Sequence, residues 1–218
     1  MTFLENPTAQ ISVIEMKTKK GSIDIMKLKI ANIFYSIQGE GKFIGTPSIF
    51  VRFFDCNLSC SFCDDLDHKK GYTEYSFEEL LETISKYPSS HLIITGGEPT
   101  IYELNPFIEF LKGHRYFVAV ETNGFRFENV SKADWITYSP KNWDEIKNDG
   151  FSEVKFVVSK TSKIQKILNF QTDKQIYIQP QNNMDTTDME NMKFCIEFVQ
   201  DNPHLKLSPQ LHKLLEIE

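Results

Sequence analysis

Short apolar runs recur along this chain, and nearly every one stops at a glycine, a proline or a cluster of polar turn residues. Leu28–Tyr35 reads as a strand, followed by the loop Ser36-Ile37-Gln38-Gly39-Glu40-Gly41 and a second, aromatic-rich strand over Ser48–Phe54. Ser76-Phe77-Glu78-Glu79 is a capping box: Ser76 satisfies a free N–H of the first turn and Glu79 reaches back, which predicts a helix to about Lys86. His91–Thr95 is a buried strand that stops at Gly96-Gly97-Glu98-Pro99, and Asn105–Gly113 reads as a helix. Tyr116–Glu121 is a strand closed by Thr122-Asn123-Gly124, and Trp135–Ser139 another closed by Pro140-Lys141. Glu153–Val158, a helix over Thr161–Asn169, Gln175–Gln179, a longer helix from about Thr187 to Gln200, and Leu205–Leu207 complete the series.

Strands alternating with helices imply an α/β fold whose sheet is mainly parallel, with ligands at the carboxyl ends of the strands. Gln38, Cys56, Gly97, Asn123, Ser139 and Gln179 each follow a predicted strand, which predicts that one end of one sheet collects them all. Six or seven strands are too few for a closed eight-stranded barrel. The expectation is a partial, open β/α barrel of about six parallel strands with reduced helices. Ahead of Lys27 the pattern is weak: Gln10–Met16 alternates like a strand and Lys17–Gly21 reads as a basic turn. Residues 1–26 are therefore an extension with no assigned role, and 27–218 a single domain.

Composition narrows the functional classes. A net charge of −6 argues against attachment to nucleic acid through a basic surface. No apolar run approaches the roughly 20 residues of a membrane helix, and the N-terminus lacks the order of a signal peptide, so a cytoplasmic protein is expected. Three of the four cysteines fall within the eight residues Cys56-Asn-Leu-Ser-Cys60-Ser-Phe-Cys63, a spacing suited to thiolate ligands and not to a disulfide framework. Three thiolates are one short of a closed zinc site or a fully Cys-ligated iron–sulfur cluster, so a coordination position stays open. A zinc knuckle completed by His68 also fits the spacing, although such knuckles stabilise very small units and this loop follows a strand of a domain large enough for its own core. Phe53, Phe54, Leu58 and Phe62 would shield a reducible cluster, and Cys195, among apolar neighbours, reads as packing.

The Cys-x3-Cys-x2-Cys loop, with Gly96-Gly97-Glu98-Pro99 about 30 residues on, resembles the radical S-adenosylmethionine (SAM) superfamily. Ile37-Gln38-Gly39-Glu40-Gly41, Val51-Arg52-Phe53-Phe54-Asp55-Cys56-Asn57 and Ser208-Pro209-Gln210-Leu211-His212 are similar, within it, to the 7-carboxy-7-deazaguanine synthases, from about residue 27 to the C-terminus. The resemblance implies a 4Fe-4S cluster on Cys56, Cys60 and Cys63 and a SAM site drawn from Phe62, Cys63, Asp64, Gly97, Glu98, Ser139, Pro140, Lys141, Gln179 and Gln181. It implies conversion of 6-carboxy-5,6,7,8-tetrahydropterin to 7-carboxy-7-deazaguanine with loss of ammonia, SAM acting as a cofactor that is not consumed. Arg52 is then placed to take the substrate carboxylate, with Ile37, Gln38, Gly39, Glu40, Thr95 and His212 around the ring. Partners implied are an external flavodoxin or ferredoxin as electron donor and a second copy in a homodimer.

One position departs from the family pattern. Relatives carry Cys-Asp-Thr with the threonine on a Mg²⁺ ion, whereas this chain has Cys63-Asp64-Asp65, and a carboxylate at Asp65 suits that hard cation. The competing readings are an activase that places a glycyl radical on a partner protein and a zinc-stabilised binding module. The Gln38–Gly41 loop with Arg52 favours a small carboxylated ring over the first, and iron with sulfide in place of zinc separates the second.

Overall fold

The computed structural model describes residues 27–63 and 67–217. The alternation at Gln10–Met16, the basic turn at Lys17–Gly21, and Asp64 and Asp65 lie outside the described residues. Among the described residues, nine strands form one sheet: β1 (Leu28–Ile37), β2 (Pro47–Phe53), β3 (Thr73–Tyr75), β4 (His91–Gly96), β5 (Phe117–Thr122), β6 (Trp135–Tyr138), β7 (Glu153–Val158), β8 (Gln175–Pro180) and β9 (Leu205–Leu207). Their order is β3-β1-β2-β4-β5-β6-β7-β8-β9. Every pairing from β2 through β9 is parallel, which gives seven parallel strands where about six are expected, and β1 is antiparallel to both β2 and β3. The sheet is open, as a partial barrel requires.

The α-helices α1 (Phe77–Ile84), α2 (Asn105–Gly113), α3 (Gln165–Leu168), α4 (Met189–Asp201) and α5 (Leu211–Leu215) accompany the strands. The capping box forms as read, with the Ser76 hydroxyl accepting the Glu79 N–H at 3.2 Å and Glu79 Oε2 accepting the Ser76 N–H at 2.7 Å. The helix expected over Thr161–Asn169 shrinks to Gln165–Leu168. Ser162 accounts for the loss: its hydroxyl accepts the Ser159 N–H and its carbonyl the Ile164 N–H, offering the backbone a turn in place of a helical start.

The strands have two faces. Val118 and Val120 of β5, Ile136 and Tyr138 of β6, and Val154, Phe156 and Val158 of β7 join Leu80, Phe107, Leu111 and Phe198 of the helices in the apolar core. The alternate residues, Glu121, Thr137, Glu153 and Lys155, point to the concave face and bond to one another instead. Period-2 alternation thus puts polar groups inside the barrel.

The antiparallel β1–β2 hairpin changes one expectation. Because Ile37 pairs with Pro47, the Gln38–Gly41 loop sits where β2 begins and does not share the carboxyl end of the parallel strands with the other motifs. Phe43, just beyond it, packs against His91, Phe117 and Trp135, the first residues of β4, β5 and β6. The loop plugs the barrel from the opposite end, and its polar side chains reach the same cavity from below.

Candidate active site

The cysteine loop leaves β2 at Asp55, which holds a positive φ of 72°. The Asp55 N–H donates to the His68 carbonyl at 3.0 Å and the Asp55 carbonyl accepts the Glu98 N–H at 2.9 Å, so the loop is docked on the turn after β4. The glycine pair makes that docking possible: a Cβ on Gly96 would overlap the backbone of Phe53, and one on Gly97 the Asp55 carbonyl oxygen. A further tie runs from the Asn123 side-chain N–H to Asn57 Oδ1 at 2.9 Å, linking the end of β5 to the cysteine loop.

Glu98 lies under this junction, fully buried. Its carboxylate accepts the Thr100 N–H at 2.9 Å, the Thr122 hydroxyl at 2.6 Å and the Asn123 N–H at 2.6 Å. The side chain that sequence assigns to SAM is therefore committed to joining the turns after β4 and β5.

A cavity of about 570 Å³ opens on the concave face. Cys56, Cys60, Phe62 and Cys63 line one wall, and Gly97, Ser139, Lys141, Gln179 and Gln181 the adjacent one. Ile37, Gln38, Gly39, Glu40, Arg52, Thr95 and His212 complete it. Arg52 and Thr95 are register partners on β2 and β4, and the Arg52 guanidinium lies 5.6 Å from the Phe34 ring centre. Pro140 lines a smaller neighbouring pocket of about 300 Å³ that shares Phe62, Lys141 and Gln181 with the first.

Lys155 forms the floor. Its side chain is 4% exposed and forms ion pairs with Glu40 and, at 2.9 Å, with Glu121. Glu40 Oε1 also accepts the side-chain N–H groups of Gln179 at 3.3 Å and Gln210 at 2.9 Å, while Gln38 donates to Glu121 Oε1 at 3.2 Å. Burial opposes charge on Lys155, yet Glu121 and Glu40 outweigh it and hold its pKa above the ordinary lysine value. Burial pushes the Glu121 carboxyl up, with Lys155 pulling the other way. Glu153, one pleat before Lys155, is raised by burial and then by Glu121.

Lys155, Glu121 and Gln210 are not among the site residues that the sequence points to. A signal for Lys155 is nonetheless present: Glu153-Val154-Lys155-Phe156-Val157-Val158 places two charges on one face of a strand predicted to be buried, and a buried charge requires a partner. Glu121, at the end of an apolar strand, is that partner.

The three cysteines of the loop have the chemistry of a three-thiolate site and line one cavity, although among the described residues no three Cys, His, Asp or Glu side chains converge closely enough to hold a metal ion. Cys56, Cys60 and Cys63 are partly exposed to the cavity, whereas Cys195 is buried on α4, its thiol against the Val158 carbonyl at 3.7 Å and its pKa pushed up to about 12 by burial. The fourth cysteine is thus withheld from the loop, which leaves three thiols there. Burial is the largest cause raising the Cys56 thiol, and a cluster bound there would take its proton's place.

The radical SAM superfamily model matches residues 51–174. The chain is 38% identical to the 7-carboxy-7-deazaguanine synthase of Bacteroides thetaiotaomicron, over 88% of this chain and all of that protein. Against the synthase of the same name from Aquifex aeolicus the identity is 30%, over 88% and 94% of the two chains. Among solved structures, QueE from Escherichia coli superposes with a TM-score of 0.70 at 28% identity, covering 85% of this chain and 95% of that one.

Proposed function

We infer the chemistry of this cavity from one premise: the chain belongs to the radical SAM superfamily and, within it, to the 7-carboxy-7-deazaguanine synthases. It is a radical SAM lyase of 7-deazapurine biosynthesis. The substrate is 6-carboxy-5,6,7,8-tetrahydropterin and the product 7-carboxy-7-deazaguanine, with ammonia lost.

One observation carries the reading: the cysteine loop, Arg52 and the Glu40–Lys155–Glu121 floor line one cavity. A ring with a carboxylate at one end and N–H donors at the other matches a guanidinium on β2 and carboxylates on the floor. Arg52 takes the substrate carboxylate, its planar fork giving two parallel bonds and so a fixed orientation. Gln38, Thr95 and the backbone of the Gln38–Gly41 loop bond the ring edges, Glu121 accepts from ring N–H groups, and His212, against Gly39, covers the substrate. When bound, the cluster on Cys56, Cys60 and Cys63 and SAM supply the radical chemistry. The protein orients the reacting carbon and keeps water away. Phe62, Cys63, Asp64, Ser139, Lys141 and Gln181 hold SAM, with the backbone of Gly97 and Glu98.

Asp65 ligates a Mg²⁺ ion in place of the threonine of relatives; turnover of Asp65→Ala that kept its magnesium dependence would remove this assignment. Residues 27–218 act as one domain in a cytoplasmic homodimer reduced by a flavodoxin or ferredoxin. Among the described residues, no helix is long and apolar enough to cross a membrane.

Anaerobic turnover of the reconstituted enzyme with dithionite, SAM, Mg²⁺ and the carboxylated tetrahydropterin tests the reading. Mass spectrometry is expected to find 7-carboxy-7-deazaguanine. Cleavage of SAM without that product would keep the superfamily and remove the substrate.

A further inference from the structure

Lys155 is the most enclosed charge of the cavity, and two carboxylates from different parts of the fold converge on it: Glu40 from the hairpin loop and Glu121 from β5. Of the three side chains Glu121 is the most open, at 20% exposure against 14% for Glu40 and 4% for Lys155. Each Glu121 oxygen accepts one bond from the protein, Oε1 from Gln38 and Oε2 from Lys155, which leaves acceptor capacity facing the cavity. Glu40 braces the ammonium from the other side and is itself gripped by Gln179 and Gln210.

We propose that Lys155 is a positioning residue for substrate: its ammonium keeps Glu121 an ionised, fixed acceptor for the N–H edge of the ring, with Glu40 as brace. The inference rests on the substrate reading above. Other ionisable groups acting on this floor are Glu153 on the same strand, an acid, and Lys141 after β6, which donates to Ser139 at 2.9 Å and pulls on Glu121 less than Lys155 does. Without the ammonium, burial and the neighbouring Glu40 charge act on Glu121 against the weaker pull of Lys141 alone, the carboxyl takes up a proton more readily, and the acceptor is lost as pH falls.

The test is equilibrium binding of 6-carboxypterin, an unreactive probe, to the reconstituted holoenzyme with SAM between pH 6.0 and 7.5. Wild-type affinity is expected to change less than about threefold across that range. Lys155→Gln is expected to bind more weakly at pH 6.0 and to recover as pH rises, by at most about tenfold per pH unit, with SAM affinity unchanged. Lys155→Arg keeps the charge and is expected to follow the flat wild-type profile whatever its affinity, so it carries the test even where Lys155→Gln folds poorly. Loss of affinity by the same factor at every pH in Lys155→Gln, or a pH slope in Lys155→Arg, would overturn the inference alone. A wild-type enzyme that binds SAM but not the pterin would overturn the substrate reading and the inference with it.

Discussion

The Ser208 hydroxyl accepts the backbone N–H of Gly41 at 2.9 Å, joining two loops that lie 167 residues apart. Beside it the Leu211 N–H donates to the Gly39 carbonyl at 3.0 Å, and the Gln210 side chain donates to Glu40 at 2.9 Å. The sheet does not close through a strand ladder. The hairpin loop and the segment after β9 seal it by hydrogen bonds instead, and they do so against the floor of the cavity, so closure of the barrel and shaping of the site are one event.

Gly41→Ala tests that seal. Gly41 has a φ of +62°, and a Cβ there would overlap Glu153 Oε1. The left-handed backbone alone costs about 1–2 kcal/mol for an alanine, and the overlap with a buried carboxylate adds about 1–3 kcal/mol. Denaturant unfolding is expected to show a loss of that order together with weaker pterin binding; an unchanged midpoint would mean that the loop does not pack on Glu153.

Arg52→Ala should separate substrate binding from SAM chemistry. A charge-assisted hydrogen-bonded pair contributes about 1.5–3 kcal/mol, so kcat/KM for the carboxylated pterin is expected to fall about 10- to 100-fold. Substrate-free cleavage of SAM should stay near the wild-type rate. Arg52→Lys keeps the charge but not the fork and should fall between the two.

Both ends of the Gly41–Ser208 bond lie in stretches that stand out in the sequence, Gln38-Gly39-Glu40-Gly41 and Ser208-Pro209-Gln210-Leu211-His212, yet nothing in either one names the other as its partner. Legibility follows the range of the forces. The capping box at Ser76 and Glu79 is a contact within one helical turn, and Asn105–Gly113 an apolar stripe with a clear period, so both appear in the structure where the sequence puts them. The hand of the β1–β2 pairing, the three-residue β3 and the five-residue α5 depend on tertiary contacts and leave no local pattern. Lys155 shows in the sequence only as one of two charges on the face of a buried strand, a sign that a partner is needed; that Glu40 and Glu121 are the partners depends on tertiary contacts.

Glu98→Ala is expected to be among the most damaging changes outside the ligand-facing residues. It strands the buried donors of Thr100, Thr122 and Asn123, at about 1–3 kcal/mol each before relaxation. A net loss of about 3–5 kcal/mol corresponds to a fall of about 10 °C in Tm for a chain of this size. Iron content should fall with it, because the same junction docks the cysteine loop; full iron loading at unchanged Tm would contradict the account.

Glu153 gives a pH dependence with a definite sign. Its folded-state pKa is raised by burial, so the native state holds the proton more tightly than the unfolded chain. The stability this confers is present below the unfolded value and lost as pH rises through the folded one, at about 1.4 kcal/mol for every pH unit that separates the two. Glu153→Gln, which carries no charge to bury, should gain on wild type between pH 5 and pH 8 in thermal melts. A difference that does not change with pH would show that Glu153 titrates normally.

The central claim is that substrate lies across this cavity with its carboxylate on Arg52 and its N–H edge on Glu121. An anaerobic crystal structure of the reconstituted enzyme with SAM and 6-carboxypterin measures it directly. The account predicts the carboxylate within hydrogen-bond distance of the Arg52 guanidinium and ring nitrogens within the same distance of Glu121. A pterin bound the other way round, with its carboxylate at the Lys155 floor, would contradict it.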